Sequence, residues 1–85
     1  MKLWLLSARE DLKDGNNPWE CWYDKSFGFV IRAEDETEAR SMADQCGGDE
    51  KHTFADAWLS AEYSTCVELT AEGESDIIID DYRNA

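Results

Sequence analysis

Cys21, Cys46, His52 and Cys66 carry the side-chain chemistry of a structural zinc site, whose usual ligands are thiolates and a neutral imidazole. Their spacing argues against one. The 24, 5 and 13 intervening residues match no zinc ribbon or finger, and no metal is expected. His52, the sole histidine, lies in a Gly/Asp/Lys-rich stretch. As a general base it would need a nucleophile, and neither a Gly-x-Ser-x-Gly elbow nor a local Cys/His motif is present. Paired carboxylates stand at Asp80-Asp81, at Asp49-Glu50 and from Glu34 to Glu38. Adjacency is expected by chance in a chain with 20 acids, and none of these pairs follows the Asp-x-Asp-x-Asp-Gly order of a calcium loop. Gly47-Gly48 ends an expected helix rather than opening one, so no phosphate-cradling loop is present. The expectation is a chain with no catalytic residue and no cofactor.

The net charge of −12 bounds the partners. Without a basic stripe, counterion release cannot drive direct nucleic-acid binding, and anionic membranes are disfavoured. An acidic surface either keeps the protein soluble or meets a basic partner, including the nucleic-acid groove of another protein. The apolar content of 42% and aromatic content of 12% are those of a folding chain, and 85 residues make one domain, 1–85. The apolar run at "MKLWLL" stops at Ser7 and is followed by Arg9, Glu10 and Asp11, so neither a signal peptide nor a spanning helix is expected, and the chain reads as cytoplasmic. Three cysteines without close spacing predict reduced thiols.

The elements that would position these groups follow from periodicity. Lys2–Ala8 is short and apolar on both faces, as a central strand is. Ser26–Ala33 alternates, with Phe27, Phe29 and Ile31 on one face and Gly28, Val30 and Arg32 on the other. Glu34–Gly48 predicts a helix capped by Asp35, with Glu38 as capping-box partner, an apolar stripe of Ala39, Met42, Ala43 and Cys46, and a left-handed stop at Gly47. Gly48–Ser64 offers at most one helical turn, around Phe54–Leu59. Ser64–Thr70 alternates without declaring its inward face. Asp76–Tyr82 reads as a last strand, joined to it by a tight turn as a hairpin. The expected fold is α+β: a small four-stranded, mostly antiparallel sheet with one helix on one face, in the order β-β-α-β-β.

One helix cannot cover four strands. Trp19, Trp22 and Tyr23 are therefore expected either as a lid on the second face or as a hot spot facing a partner. The stretches "NPWECWYDKSFGFVIRAEDETEAR", "AWLSAEYSTCVEL" and "IIIDDY" resemble a group of small proteins encoded by bacteriophages and prophages. The pattern is Asn-Pro-Trp, then Trp-Tyr-Asp-Lys, a Phe-Gly-Phe strand, a Glu-Ala-Arg helix and a Tyr-Ser-Thr-Cys strand. It covers most of the chain. Members mostly lack an assigned activity, so the resemblance implies a context and transfers no catalytic residue. By analogy of class, small acidic phage proteins, among them anti-CRISPR proteins that mimic DNA, bind host proteins. The resulting expectation is an inhibitor acting in the host bacterial cytoplasm on a defence complex with a basic, nucleic-acid-binding surface. Its expected contacts are Glu34, Asp35, Glu36, Glu38, Asp49 and Glu50, with Glu20, Tyr23 and Asp24 as a second patch. The alternative is a small-molecule or nucleotide pocket under the Trp19–Tyr23 segment, involving Trp19, Trp22 and Arg32.

Overall fold

The computed structural model describes residues 1–13, 15–20 and 24–82. Strand β1 (Lys2–Ala8) is central, flanked by β2 (Gly28–Ala33) and β3 (Ser64–Leu69) in the order β2-β1-β3, antiparallel throughout. Helix α1 (Glu36–Cys46) packs on one face, and a short 3-10 turn follows at Asp49–Lys51. The pairings Trp4↔Ile31, Leu6↔Phe29 and Leu6↔Cys66 place these side chains under the helix. Leu3, Leu5, Val30, Val67 and Leu69 then occupy the opposite face, because the strand period is two.

The sheet has three strands, not four, although the α+β class stands. Asp76–Tyr82 forms no strand, and no hairpin joins it to β3. Isoleucine favours strands only where a pleated surface receives it. Pairing with β3 would bring Asp76 and Asp80 toward an edge that already carries Glu68, and like charges across a ladder are destabilising. The segment lies over the open face instead, leaving Ile77 74%, Ile78 59% and Ile79 55% exposed.

The helix start follows local chemistry. Asp35 Oδ1 accepts from the Glu38 amide at 2.9 Å, and Glu38 Oε1 accepts from the Glu34 amide at 2.7 Å. The reciprocal bond thus reaches one residue further back than a standard capping box. The apolar stripe is corrected. Ala39, Arg40 and Ala43 are buried, whereas Met42 and Cys46 are exposed. Gly47 is not left-handed: it is extended, at φ −67° and ψ 158°. Its glycine is required by crowding, since a Cβ there would sit 2.9 Å from Glu50 Oε2 and 3.1 Å from Trp58.

A single core joins Leu6, Ile31, Ala39 and Ala43 to Trp19, Trp58 and Tyr63. Trp58 and Leu6 are fully buried. Small helix residues let the helix approach closely, and the aromatics of the loops fill the rest of the same face. Trp19 packs on Trp58 with ring centroids 4.9 Å apart and planes tilted by 56°, and Phe29 meets Trp58 edge-on at 5.0 Å. Trp19 is therefore no lid on the second sheet face: it extends the core beneath the helix. Among the described residues, no helix is long and apolar enough to cross a membrane.

Candidate functional site

The expected acidic residues divide into two groups set by α1. Glu34, Asp35, Glu36 and Glu38 are exposed at its start. Asp35 and Glu38 are fixed by the capping bonds, and Glu36 Oε2 accepts from Arg40 Nε at 2.8 Å. The other group lies beyond the helix end. The Asp49 amide donates to the Asp24 carbonyl at 2.9 Å, which brings two sequence-distant acids together. Glu20 is near them, its carbonyl accepting from the Lys25 ammonium. Helix α1, 11 residues and roughly 16 Å long at about 1.5 Å per residue, carries Glu36 and Glu38 in its first turn and ends before the second group.

Asp24 holds a positive φ of 53°, and Gly48 is required beside it, because a Cβ at 48 would lie 2.3 Å from the Asp24 carbonyl. The cause of this close approach is Glu50. Expected at the surface, Glu50 is 1% exposed and faces inward. Its carboxylate accepts from Trp58 Nε1 at 2.6 Å, the Gly48 amide at 3.0 Å and the Ser26 amide at 3.1 Å. Three donors offset the cost of burying the charge and tie three loops together. Glu50 is thus a structural lock and no part of an exposed contact surface.

Five of the seven described cations are held by neighbouring groups, though only Arg40 is buried, and Lys13 and Arg32 are exposed. Arg40 is 7% exposed; Nη1 donates to the Trp58 carbonyl at 2.8 Å and Ser64 Oγ at 2.9 Å, and Nη2 to the Ser64 carbonyl at 3.1 Å. Arg9 grips Asp11 at 2.6 and 3.0 Å and donates to the Ala61 and Glu62 carbonyls. The hydrogen bond and charge of Asp11 hold the Arg9 guanidinium above its ordinary value, and the same hydrogen bond holds Asp11 below the usual carboxylate range. Lys51 reaches the Asp44 carbonyl, supplying the cation that the last turn of α1 lacks. Lys2 lies 3.8 Å from Glu68.

Trp19 and Arg32 of the alternative pocket are not brought together. Trp19 is 5% exposed, and its Nε1 donates to the Tyr63 carbonyl at 3.0 Å, so it is a core anchor. Arg32 is exposed on the far face of the sheet, opposite Leu3. Trp22, Tyr23 and Cys21 lie outside the described residues. His52 and Cys46 are exposed. Burial, aided by the charge of Glu36, pushes the Cys66 thiol up, away from the thiolate that nucleophilic or ligand chemistry needs.

Sequence reasoning missed three buried polar or aromatic anchors: Arg40, Glu50 and Trp58. A signal for the first was present, since Glu36, Arg40 and Ala43 share a helix face at spacings of four and three. Adjacent glycines at 47 and 48 hinted at the second, because paired glycines without a left-handed turn mark a close approach. No protein-family model, curated protein or solved structure matches this chain.

Proposed function

We propose that this chain is a phage-encoded, non-enzymatic binding protein that inhibits a host defence complex by presenting carboxylates to a basic, nucleic-acid-binding surface. The observation that carries this reading is the fate of the cations. Lys2, Arg9, Lys25, Arg40 and Lys51 are all engaged within the fold, whereas Glu34, Asp35, Glu36 and Glu38 stand exposed on a fixed backbone. Exposed carboxylates therefore dominate the surface at the start of the helix, in keeping with a net charge of −12. The capping bonds pre-organise two of those carboxylates, which lowers the ordering cost of binding.

The test is displacement. A purified CRISPR-type effector is bound to labelled duplex DNA, and the protein is titrated in at low and at physiological salt. The proposal expects release of the DNA, weakening as salt rises because exposed charges are screened beyond about 8–10 Å. Failure to displace DNA from any of a panel of such complexes at low salt would refute it.

A further inference from the structure

The structure has two layers, and its shortest dimension is 19 Å. One face of the sheet is covered by α1 and the aromatic loops. The other carries Leu3, Leu5, Val30 and Val67, of which Val30 is 57% and Val67 56% exposed. Asp76–Tyr82 crosses this face without sealing it. Ile77 and Ile78 border a cleft of about 310 Å³ with Leu5, Val67 and Leu69. Ile79 borders another, of about 220 Å³, with Ser7, Gly28 and Val30. The segment thus runs from the β3 side to the β2 side, and all three isoleucines stay more than half exposed. Small monomers rarely leave so continuous an apolar patch without a use for it.

We infer that this face docks a basic amphipathic helix of a partner protein. Two features select that occupant. The first is charge: Glu72 and Asp76 rim one cleft and Asp80 the other, all exposed, so the apolar floor is bordered by carboxylates. A helix with Leu-type residues on one side and Lys or Arg at its flanks satisfies both, whereas a second copy would bring another −12 against the first. The second is the shape of the floor: the exposed sides of Ile77, Ile78 and Ile79 stand above the strands between the two clefts, so the occupant must present apolar residues along a ridge, as the apolar stripe of one amphipathic helix does. Arg32 is exposed on this face at the Leu3 end, the end that Leu69 and the Glu72–Asp76 cleft also border, whereas Asp80 lies at the Ser7 end. This surface lies across the sheet from α1 and goes beyond the acidic contact proposed above.

The probe is an 18-residue synthetic peptide with Leu at helical i, i+3, i+4 and i+7 positions and Lys elsewhere, labelled for fluorescence anisotropy. Controls are a scrambled peptide of the same composition and the protein variants Val30→Asp with Val67→Asp, and Glu34→Lys with Asp49→Lys. Val30 and Val67 are exposed, so the first pair should fold; its circular dichroism and melting are measured alongside. The inference expects the ordered peptide to bind roughly tenfold tighter than the scrambled one, and Val30→Asp with Val67→Asp to remove that advantage. Glu34→Lys with Asp49→Lys should weaken both peptides alike and leave their ratio unchanged, which separates this surface from the acidic one. Equal binding of the two peptides would overturn it. So would a wild-type dimer in sedimentation that Val67→Asp makes monomeric, or binding to uncharged phosphatidylcholine vesicles that the same pair abolishes.

Discussion

Arg40→Met removes a charged fork from beneath the helix while keeping most of the apolar stem. Four acceptors lose a donor, but not all of them suffer. Glu36 is half exposed and rehydrates, so its pair with Arg40 contributes at most ~1 kcal/mol. Ser64 Oγ keeps its bond to the Ala57 carbonyl at 2.9 Å. The carbonyls of Trp58 and Ser64 lose a charged donor inside the core. At ~1–3 kcal/mol for each of these two buried acceptors deprived of its partner, the loss should be about 2–6 kcal/mol. A chain of 85 residues has roughly 4–13 kcal/mol in all, at ~0.05–0.15 kcal/mol per residue. The variant should therefore fold marginally. Urea unfolding followed by tryptophan fluorescence is the assay, because Trp19 and Trp58 are buried and report the core directly. Arg40→Lys should recover only part of the loss, since an ammonium cannot reproduce the planar fork. Glu36→Gln should cost under ~1 kcal/mol. A loss below ~1 kcal/mol for Arg40→Met would refute the claim that Arg40 clamps the 58–64 loop to the helix.

Met42→Asp should cost under ~1 kcal/mol in the same assay, because Met42 is exposed, whereas Ala43→Asp buries an unpaired charge and should leave no cooperative transition. In a Cys21→Ser background, a thiol reagent at neutral pH should label Cys46 quickly and Cys66 slowly, since burial raises the Cys66 thiol. The same shift sets a stability slope: the folded state holds the Cys66 proton more tightly, so its contribution is intact below the unfolded thiol pKa of about 8.5 and is lost as pH rises through the folded value. Cys66→Ala should flatten the decline above pH ~9, measured by urea midpoints. Replacing Asp11 by Asn should remove an acid-side loss that begins as pH falls through the usual carboxylate range and is complete below the lowered folded value, read from the same urea midpoints, because Arg9 depresses Asp11 in the folded state only.

What could be read from the chain depended on how local its cause was. The Asp35 cap is a contact across three residues, and the alternation of Phe27, Phe29 and Ile31 is fixed by the strand period, so both were legible. The alternation of Ser64–Thr70 does not declare which face of β3 turns inward. That face is set by pairing to β1, where Leu6↔Cys66 and Ala8↔Ser64 direct Ser64 and Cys66 to the core and Val67 outward. Asp76–Tyr82 misled because three consecutive isoleucines report propensity, not a partner strand. Met42 misled because an apolar residue at helical spacing reports a stripe, not which of two overlapping stripes meets the sheet; Arg40 took the place through its reach to a loop 18 and 24 residues away. Glu50 read as a surface charge for the same reason: its donors at Ser26 and Trp58 are remote in sequence. Of the candidate site, the exposed acids around the helix start were legible. The inward turn of Glu50 and the burial of Trp19 needed the tertiary fold.

The central claim, that outward carboxylates engage a basic surface, is tested most directly by Glu34→Lys with Asp49→Lys in the DNA-displacement assay. Both side chains are exposed, and neither takes part in the capping bonds or in the Glu50 lock, so the melting temperature should hold within a few degrees. Each reversal adds two charges, moving the net charge from −12 to −8. The account predicts displacement weakened by roughly tenfold or more at low salt, with a shallower dependence on salt than the wild type. Displacement of DNA by this variant as strong as that of the wild type, at every salt concentration, would contradict it.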